Sequence, residues 1–154
     1  MSDEKFSELL NELGVKEDKQ WVPEFRETYW SVLDSGYVDC SYWHCDDTDN
    51  HRLLMNNVFK TKEEAVAQRD FDIEKAKLIK EIEDSSDVID WRDAEQEKHY
   101  LCYIHDEGII EIDNNLVYER QGSIYTTNKE FLENLIKNEP ERIKKYLFGI
   151  GEEK

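Results

Sequence analysis

Cysteine and histidine are the residue types in this chain that could hold a transition metal, because sulfur and imidazole are ligands that zinc prefers. The candidate ligands are Cys40, His44, Cys45, His51, Cys102 and His105. Their spacings, Cys-x4-Cys and Cys-x2-His, do not form a zinc-knuckle pattern. Cys40 and Cys102 also fall inside predicted strands, where a free cysteine is ordinarily a small packing residue. We therefore expect no cofactor and keep a zinc protein only as a third functional hypothesis.

The sequence gives little basis for a catalytic centre. Cys45 beside His44 pairs a nucleophile with a base, but neighbouring residues of a strand or loop usually point apart. The chain has no glycine-rich phosphate loop, no G-x-S-x-G and no H-E-x-x-H. Asp46, Asp47 and Asp49 faintly resemble a calcium loop, but no glycine or glutamate follows at EF-hand spacing. The sequence predicts a non-enzymatic protein with a solvated acidic loop at this position.

Acidic residues exceed basic residues by 37 to 20, which gives a net charge of −17. A field of this sign repels nucleic acids and anionic membranes and attracts basic protein surfaces. The plainer interpretation is a solubilising surface, but the acids are clustered. One cluster is Asp46, Asp47 and Asp49, and the other is Glu83, Asp84, Asp87, Asp90, Asp93, Glu95 and Glu97, with Arg92 as its nearby counter-charge. Such clusters can dock a protein that normally holds phosphates.

A pattern that occurs twice predicts the architecture. Residues 57–66 and 123–132 each carry two apolar β-formers, then a threonine, and then a glutamate three positions later. This spacing is that of a capping box, in which a strand ends and a helix begins. The threonine and glutamate pairs are Thr61 with Glu64 and Thr127 with Glu130. A hairpin signal precedes each copy.

The remaining elements follow from hydrophobic periodicity and turn residues. The predicted strands are 27–33, 37–43, 58–59, 99–105, 109–113, 116–119 and 123–126, and the predicted helices are 2–13, 62–83, 128–137 and 140–148. We expect turns at 34–36, 106–108 and Asn114-Asn115, and a polar loop over 44–56. Thr61 and Thr127 are the predicted N-caps of their helices.

These elements predict an α+β fold of two diverged β-hairpin–strand–helix units with antiparallel strands, preceded by a short N-terminal helix. The predicted divisions are 1–20 for the helix and its connection, 21–84 for the first unit, 85–98 for an acidic linker and 99–154 for the second unit, all in one compact domain. No stretch approaches the roughly 18 apolar residues of a membrane span. The acidic N-terminus lacks the regions of a secretory signal. We expect a cytoplasmic protein that does not bind membranes.

A set of short motifs runs through the chain: Trp21-Val22-Pro23, Tyr29-Trp30, Gly36-Tyr37-Val38, Trp43, Asp49, Arg52, the helix start from Asn57 to Ala65, and Lys144-Lys145-Tyr146-Leu147-Phe148-Gly149. With these motifs the chain resembles, over residues 21–149, small proteins of bacteriophages and other mobile elements. Those proteins combine a W-x-P opening, a Y-aromatic strand and an N-x-F-x-T-x-E-E-A helix start. Glu24-Phe25 depart from the pattern, in which a second glycine or lysine usually follows the proline. The motif residues determine a fold, so the resemblance implies origin more than activity.

The resemblance and the charge together give the leading hypothesis. Small acidic phage proteins include anti-CRISPR inhibitors of host defence, so we expect a protein that binds a basic, nucleic-acid-binding partner, specifically a type II CRISPR nuclease, and not nucleic acid itself. The expected partner-binding residues are the acids Asp46, Asp47, Asp49, Asp87, Asp90 and Asp93 and the apolar anchors Tyr42, Trp43 and Trp91. The alternative is a non-enzymatic phage accessory module that binds a small ligand or a replication protein. The sequence predicts no particular oligomeric state.

Overall fold

The computed structural model describes residues 20–151, which form four helices and five strands. The strands are β1 (Thr28–Val32), β2 (Val38–Tyr42), β3 (Lys98–Ile104), β4 (Ile109–Asn115) and β5 (Tyr125–Thr126), and the helices are α1 (Asp47–Leu54), α2 (Lys62–Asp84), α3 (Lys129–Asn138) and α4 (Pro140–Phe148). This composition confirms the predicted mixture of helices with antiparallel strands. The helix predicted over 2–13 lies outside the described residues. Within residues 20–151, no helix combines the length and the apolar character needed to cross a membrane.

The first of two compact units extends to Arg69 and is built on a β-hairpin. Strands β1 and β2 pair antiparallel, with Trp30 opposite Cys40. Gly36 closes the turn at φ 80°, a conformation that glycine adopts without steric cost. Phe59 adds a third segment, because its amide and carbonyl each bond to Trp30 at 2.9 Å. The buried core of this unit is Tyr29, Trp43 and Val58.

The second unit begins at Asp70 and has a three-stranded sheet in the order β4-β3-β5. Helices provide most of its core. Leu78 and Ile82 lie four residues apart on one face of α2, as expected for an amphipathic helix over a sheet. They cluster with Leu132, Leu135 and Ile143 from α3 and α4. Helix α4 starts at Pro140 and ends before Gly149, whose φ of 65° is typical of a helix C-cap.

The repeated sequence pattern recurs only in part, because α1 lies between the hairpin and the pairing segment in the first unit and has no counterpart in the second. In each unit a hairpin is followed by a segment that pairs antiparallel with the first hairpin strand, and a helix comes next. Phe59 pairs with Trp30 in the first unit, and Tyr125 pairs with Tyr100 in the second. The copies differ in extent, because Phe59 makes an isolated bridge whereas Tyr125 belongs to a two-residue strand.

Three predicted segments are wrong. The polar loop predicted over 44–56 contains α1, because Asp46 is an N-cap that accepts a hydrogen bond from the Asp49 amide. The turn predicted at Asn114-Asn115 is the end of β4, since β3 begins early enough for Lys98 to pair with Asn115. No strand forms over 116–119.

The predicted boundary between the units also differs from the structure. The division falls between Arg69 and Asp70, inside α2, because Leu78 and Ile82 belong to the core of the second unit. Residues 85–98 are therefore part of that unit and not a linker. Their start is fixed to the start of α3 by hydrogen bonds from the Thr127 amide to Ser86 Oγ at 3.0 Å and from the Asp87 amide to Thr127 Oγ1 at 2.9 Å.

The two predicted N-caps have different outcomes. The capping box at α2 is confirmed, since the Glu64 amide donates to Thr61 Oγ1 and the Thr61 amide donates to Glu64 Oε2, both at 3.2 Å. The cap at α3 is wrong by one residue, because Asn128 Oδ1 accepts from the Phe131 amide at 3.0 Å. The Thr127 hydroxyl is instead occupied by the Asp87 amide.

The caps give a first prediction. Thr61→Ala and Asn128→Ala should each lower the free energy of unfolding by about 0.5–2 kcal/mol, because each leaves an amide of the first helical turn without its acceptor. Thr48→Ala, at an exposed position of α1, should change it by less than about 0.5 kcal/mol. Urea unfolding followed by circular dichroism measures all three. The capping assignment fails if Asn128→Ala costs no more than Thr48→Ala.

Candidate functional site

The acids predicted to form a solvated loop in the first unit lie at the start of α1 and differ in burial. Asp46 and Asp47 are exposed, whereas Asp49 is only 4% exposed. Asp49 Oδ1 accepts from the Tyr29 hydroxyl and Oδ2 accepts from the His44 amide, both at 2.6 Å. Asp49, predicted to contact a partner, therefore has its carboxylate bonded inside the unit and offers no exposed oxygen.

Arg52 completes a buried polar network with Tyr29 and Asp49. Its Nη1 donates to the Tyr29 hydroxyl at 2.7 Å, and its guanidinium lies over the Tyr29 ring. Burial and the hydrogen bond to Asp49 raise the pKa of Tyr29. Burial also acts to raise the pKa of Asp49, but the bonds from Tyr29 and His44 outweigh it, and that pKa is lowered. Tyr29 is thus a neutral donor and Asp49 an anion in the folded protein.

The two aromatic anchors predicted beside these acids also differ. Trp43 is 3% exposed and packs edge-on against Tyr29 at 5.6 Å between ring centroids. Its ring, predicted to anchor a partner, belongs to the buried core of the unit. Tyr42, at the end of β2, is 61% exposed and remains accessible.

One group of possible metal ligands, His44, Asp46 and Asp49, lies close together among residues 20–151. Both Asp49 oxygens and Asp46 Oδ1 already accept hydrogen bonds within the unit. Of the zinc set considered from the sequence, this group includes only His44. Cys40 and Cys45 are exposed, and Cys102 is half-buried. The structure therefore brings together a different, internally bonded group.

A groove in the second unit brings carboxylates and aromatic rings together. It has a volume of about 320 Å³ and is lined by Glu83, Ser86, Asp87, Ile89, Trp91, Glu119, Ser123, Ile124 and Tyr125. We call this feature the acidic groove. Two of the predicted partner-binding residues, Asp87 and Trp91, line it. No lysine or arginine is among its lining residues in the described part of the chain.

Backbone contacts fix the walls of the acidic groove. One wall begins where α2 ends, and the bond from the Asp87 amide to Thr127 Oγ1 holds it. The Arg120 amide donates to the Tyr125 hydroxyl at 2.7 Å, next to Glu119 in the chain. Trp91 packs edge-on against Tyr125 with ring centroids 4.9 Å apart. The groove is thus a built concavity with its aromatic rings held in place.

Lys98 lies beside the groove residue Trp91 and is fully buried. Its ammonium donates to the carbonyls of Asp93, Gln96 and Leu116 at 2.8–2.9 Å. It also lies 5.4 Å from the centroid of the Trp91 ring. Each of the three ammonium protons therefore has an acceptor. The Lys98 side chain joins the segment after Trp91 to the segment before Glu119.

The other acids predicted in this region do not line the acidic groove. Asp90 forms an ion pair with Arg92, whose hydrogen bonds lower the pKa of Asp90. Asp93 is exposed, and its side chain accepts from the Glu95 amide. Glu119 and Tyr125 were missed as site residues. Glu119 lies outside both acidic clusters, and no local sequence signal connects it with Asp87.

Comparison with known proteins gives no match to this chain among protein-family models, curated proteins or solved structures. The chemistry of the acidic groove must therefore be inferred from its own geometry.

The Asp49 network gives a second prediction. Asp49→Asn should lower the free energy of unfolding by about 1–3 kcal/mol, because an amide has one acceptor oxygen and the carboxylate here uses two. Asp47→Asn, at an exposed position, should change it by less than about 0.5 kcal/mol. Urea titrations of the two variants at neutral pH measure the difference.

The same variants test the lowered pKa of Asp49. Because the folded pKa lies below the unfolded value of about 3.9, the ionised carboxylate stabilises the protein above that pH, and this stability is lost as the pH falls through the folded pKa. Asp49→Asn should lose less stability than Asp47→Asn on acidification from pH 5 to pH 2. Equal losses would contradict the assigned role of Asp49.

Lys98 gives a third prediction. Lys98→Met should lower the free energy of unfolding by at least about 3 kcal/mol, because it leaves three carbonyls without their charged donor. Lys80→Met is the control, since Lys80 is exposed on α2 and makes an exposed ion pair with Asp84. That change should cost less than about 0.5 kcal/mol. Urea unfolding measures both variants. Comparable losses would show that the three hydrogen bonds of the Lys98 ammonium contribute nothing to the free energy of unfolding.

Proposed function

We propose that this chain is a non-enzymatic inhibitor that binds a basic partner protein, and that its acidic groove receives an arginine side chain of that partner. The observation that carries the proposal is the groove itself. Three carboxylates, from Glu83, Asp87 and Glu119, line it together with the rings of Trp91 and Tyr125. No lysine or arginine is among the lining residues of the described chain, and the nearby Lys98 ammonium bonds to three backbone carbonyls, so no lining cation pairs with the three carboxylates.

The chemistry of the groove favours arginine over other side chains. A guanidinium makes charge-assisted, two-pronged hydrogen bonds to carboxylates. It also stacks on aromatic faces, where a cation gains about 0.5–2 kcal/mol. Lysine offers a point charge without the planar fork, and we expect it to bind more weakly. An aromatic ring beside an arginine is a frequent centre of binding energy at protein interfaces.

The net charge of −17 supports a partner with a strongly basic surface. Opposite fields steer association and raise its rate, whereas the phosphates of nucleic acid are repelled. Surfaces that hold nucleic acid carry exposed arginines, and a chain that fills such a surface competes with the nucleic acid for it. The partner class we propose is therefore a nucleic-acid-binding protein.

The resemblance to small phage proteins narrows this class to a host defence nuclease. The specific candidate is a type II CRISPR nuclease, inhibited by this chain as an anti-CRISPR protein in the cytoplasm of a bacterial host. A replication protein with a basic nucleic-acid site would use the same groove chemistry. The two partners are distinguished by which protein is bound and which activity is lost.

The fourth prediction isolates the acidic groove from net charge. Glu83→Gln, Asp87→Asn and Glu119→Gln together should weaken binding to a guide-loaded type II CRISPR nuclease by at least about tenfold, because loss of one partner in a desolvated charge pair costs about 2 kcal/mol or more. A matched triple variant, Asp106→Asn, Glu107→Gln and Glu111→Gln, changes the charge by the same amount at exposed positions of the same unit. It should weaken binding less than about threefold. Biolayer interferometry and cleavage of target DNA are the measurements.

The salt dependence of binding separates the contribution of net charge from the contribution of the groove carboxylates. The association rate of the unchanged protein should fall as ionic strength rises to 0.15 M, where the Debye length is about 8 Å. Both triple variants should share a reduced association rate, but only the groove variant should dissociate faster. Equal effects of the two triples would refute the groove as the contact. Failure to bind the nuclease, with retained binding to a basic replication protein, would refute the anti-CRISPR assignment alone.

A further inference from the structure

A second cavity in the second unit differs in chemistry from the acidic groove. Its volume is about 230 Å³, and it is lined by Lys75, Ile79, Ile82, Leu101, Gly122, Ser123, Ile124, Leu147 and Phe148. Six of these nine residues are apolar, and the lining presents apolar and polar surface in similar amounts. The cavity adjoins the core cluster that includes Ile82, Leu101 and Phe148.

The one charged residue of this lining is Lys75, which gives the cavity a polar end. Lys75 is exposed on α2 and makes no ion pair or hydrogen bond with another residue among those described. Other lysines of the same helix are paired, Lys77 with Glu74 and Lys80 with Asp84. An unpaired cation is notable in a chain with 37 acidic residues. Ser123 adds a hydroxyl to the same lining.

We propose that this cavity binds a medium-chain monocarboxylate. The hydrocarbon chain would lie against Ile79, Ile82 and Phe148, where it is removed from water. The carboxylate would lie at the Lys75 ammonium, which provides the opposite charge. The volume suits a ligand of about eight carbons better than a larger, drug-sized molecule, for which pockets of about 300–1,000 Å³ are usual. The proposal does not rest on the proposed partner, although Ser123 and Ile124 also line the acidic groove.

Sodium octanoate is the probe for this proposal. The full chain, labelled at its isoleucine methyl groups, is titrated with octanoate and followed by NMR. We expect saturable shifts of the Ile79, Ile82 and Ile124 methyl signals, whereas Ile73 and Ile109, which are exposed and do not line the cavity, should not shift. Octylamine, which has the same chain and the opposite charge, should bind more weakly. Absence of saturation, or equal shifts at Ile73 and Ile109, would overturn the proposal.

The charged end is tested with matched lysine variants. Lys75→Met should weaken octanoate binding about two- to fivefold, the range expected for an exposed ion pair. Lys80→Met should leave the dissociation constant unchanged, because Lys80 lies on the same helix but does not line the cavity. Lys75 is exposed, so its replacement leaves the fold intact, which melting temperature verifies. Equal affinity of both variants for octanoate, or tighter binding of octylamine, would overturn the assignment of a carboxylate ligand.

Discussion

A buried tyrosine on the first strand of each hairpin needs an acceptor for its hydroxyl, and both units are arranged around that requirement. Tyr29 donates to Asp49 at 2.6 Å, and Tyr100 donates to Asp113 at 2.8 Å. An arginine guanidinium lies over each ring, from Arg52 in the first unit and from Arg120 in the second. Burial together with the neighbouring carboxylate raises the pKa of Tyr100 to about 12, so it is a neutral donor at all physiological pH values. The two networks are alike in chemistry but not in position, because Tyr100 corresponds in strand pairing to Trp30, and Asp49 lies on α1 whereas Asp113 lies on β4.

In the second unit, Tyr100 is the first of a series of packed aromatic rings that ends at the candidate site. Tyr100 packs against Tyr125, Tyr125 packs against Trp91, and the Lys98 ammonium lies over Trp91. The groove is therefore an extension of the sheet's own packing, and its rings are held by contacts that a partner need not supply. Preorganised rings lose little conformational freedom on binding, which leaves more of the contact energy for affinity. Ser123 and Ile124 line both this groove and the apolar cavity, so the two sites share one wall.

Local sequence signals account for most of the fold. The capping box at Thr61, the Pro140 start and the Gly149 end of α4 all act within a few residues, and each was predictable for that reason. The errors arise where a distant residue decides the outcome. Asn114-Asn115 continue β4 because β3 extends to meet them, and Thr127 fails as a cap because the Asp87 amide occupies its hydroxyl. Helix α1 is a different case, since Asp46 carries a local N-cap signal that the acidic run concealed.

The candidate site was harder to predict than the fold. A cluster of acidic residues in the sequence indicates an excess of negative charge, but it does not indicate where each carboxylate lies in the structure. Asp49 belongs to a cluster yet is buried, and Asp90 belongs to the other yet is paired with Arg92. Glu119 belongs to neither and still lines the groove with Asp87. What distinguishes a binding site from a solubilising surface in so acidic a chain is the convergence of unpaired carboxylates on one concave surface. That convergence depends on Lys98 and Tyr125, which join segments far apart in sequence, so it becomes visible only once the fold is known.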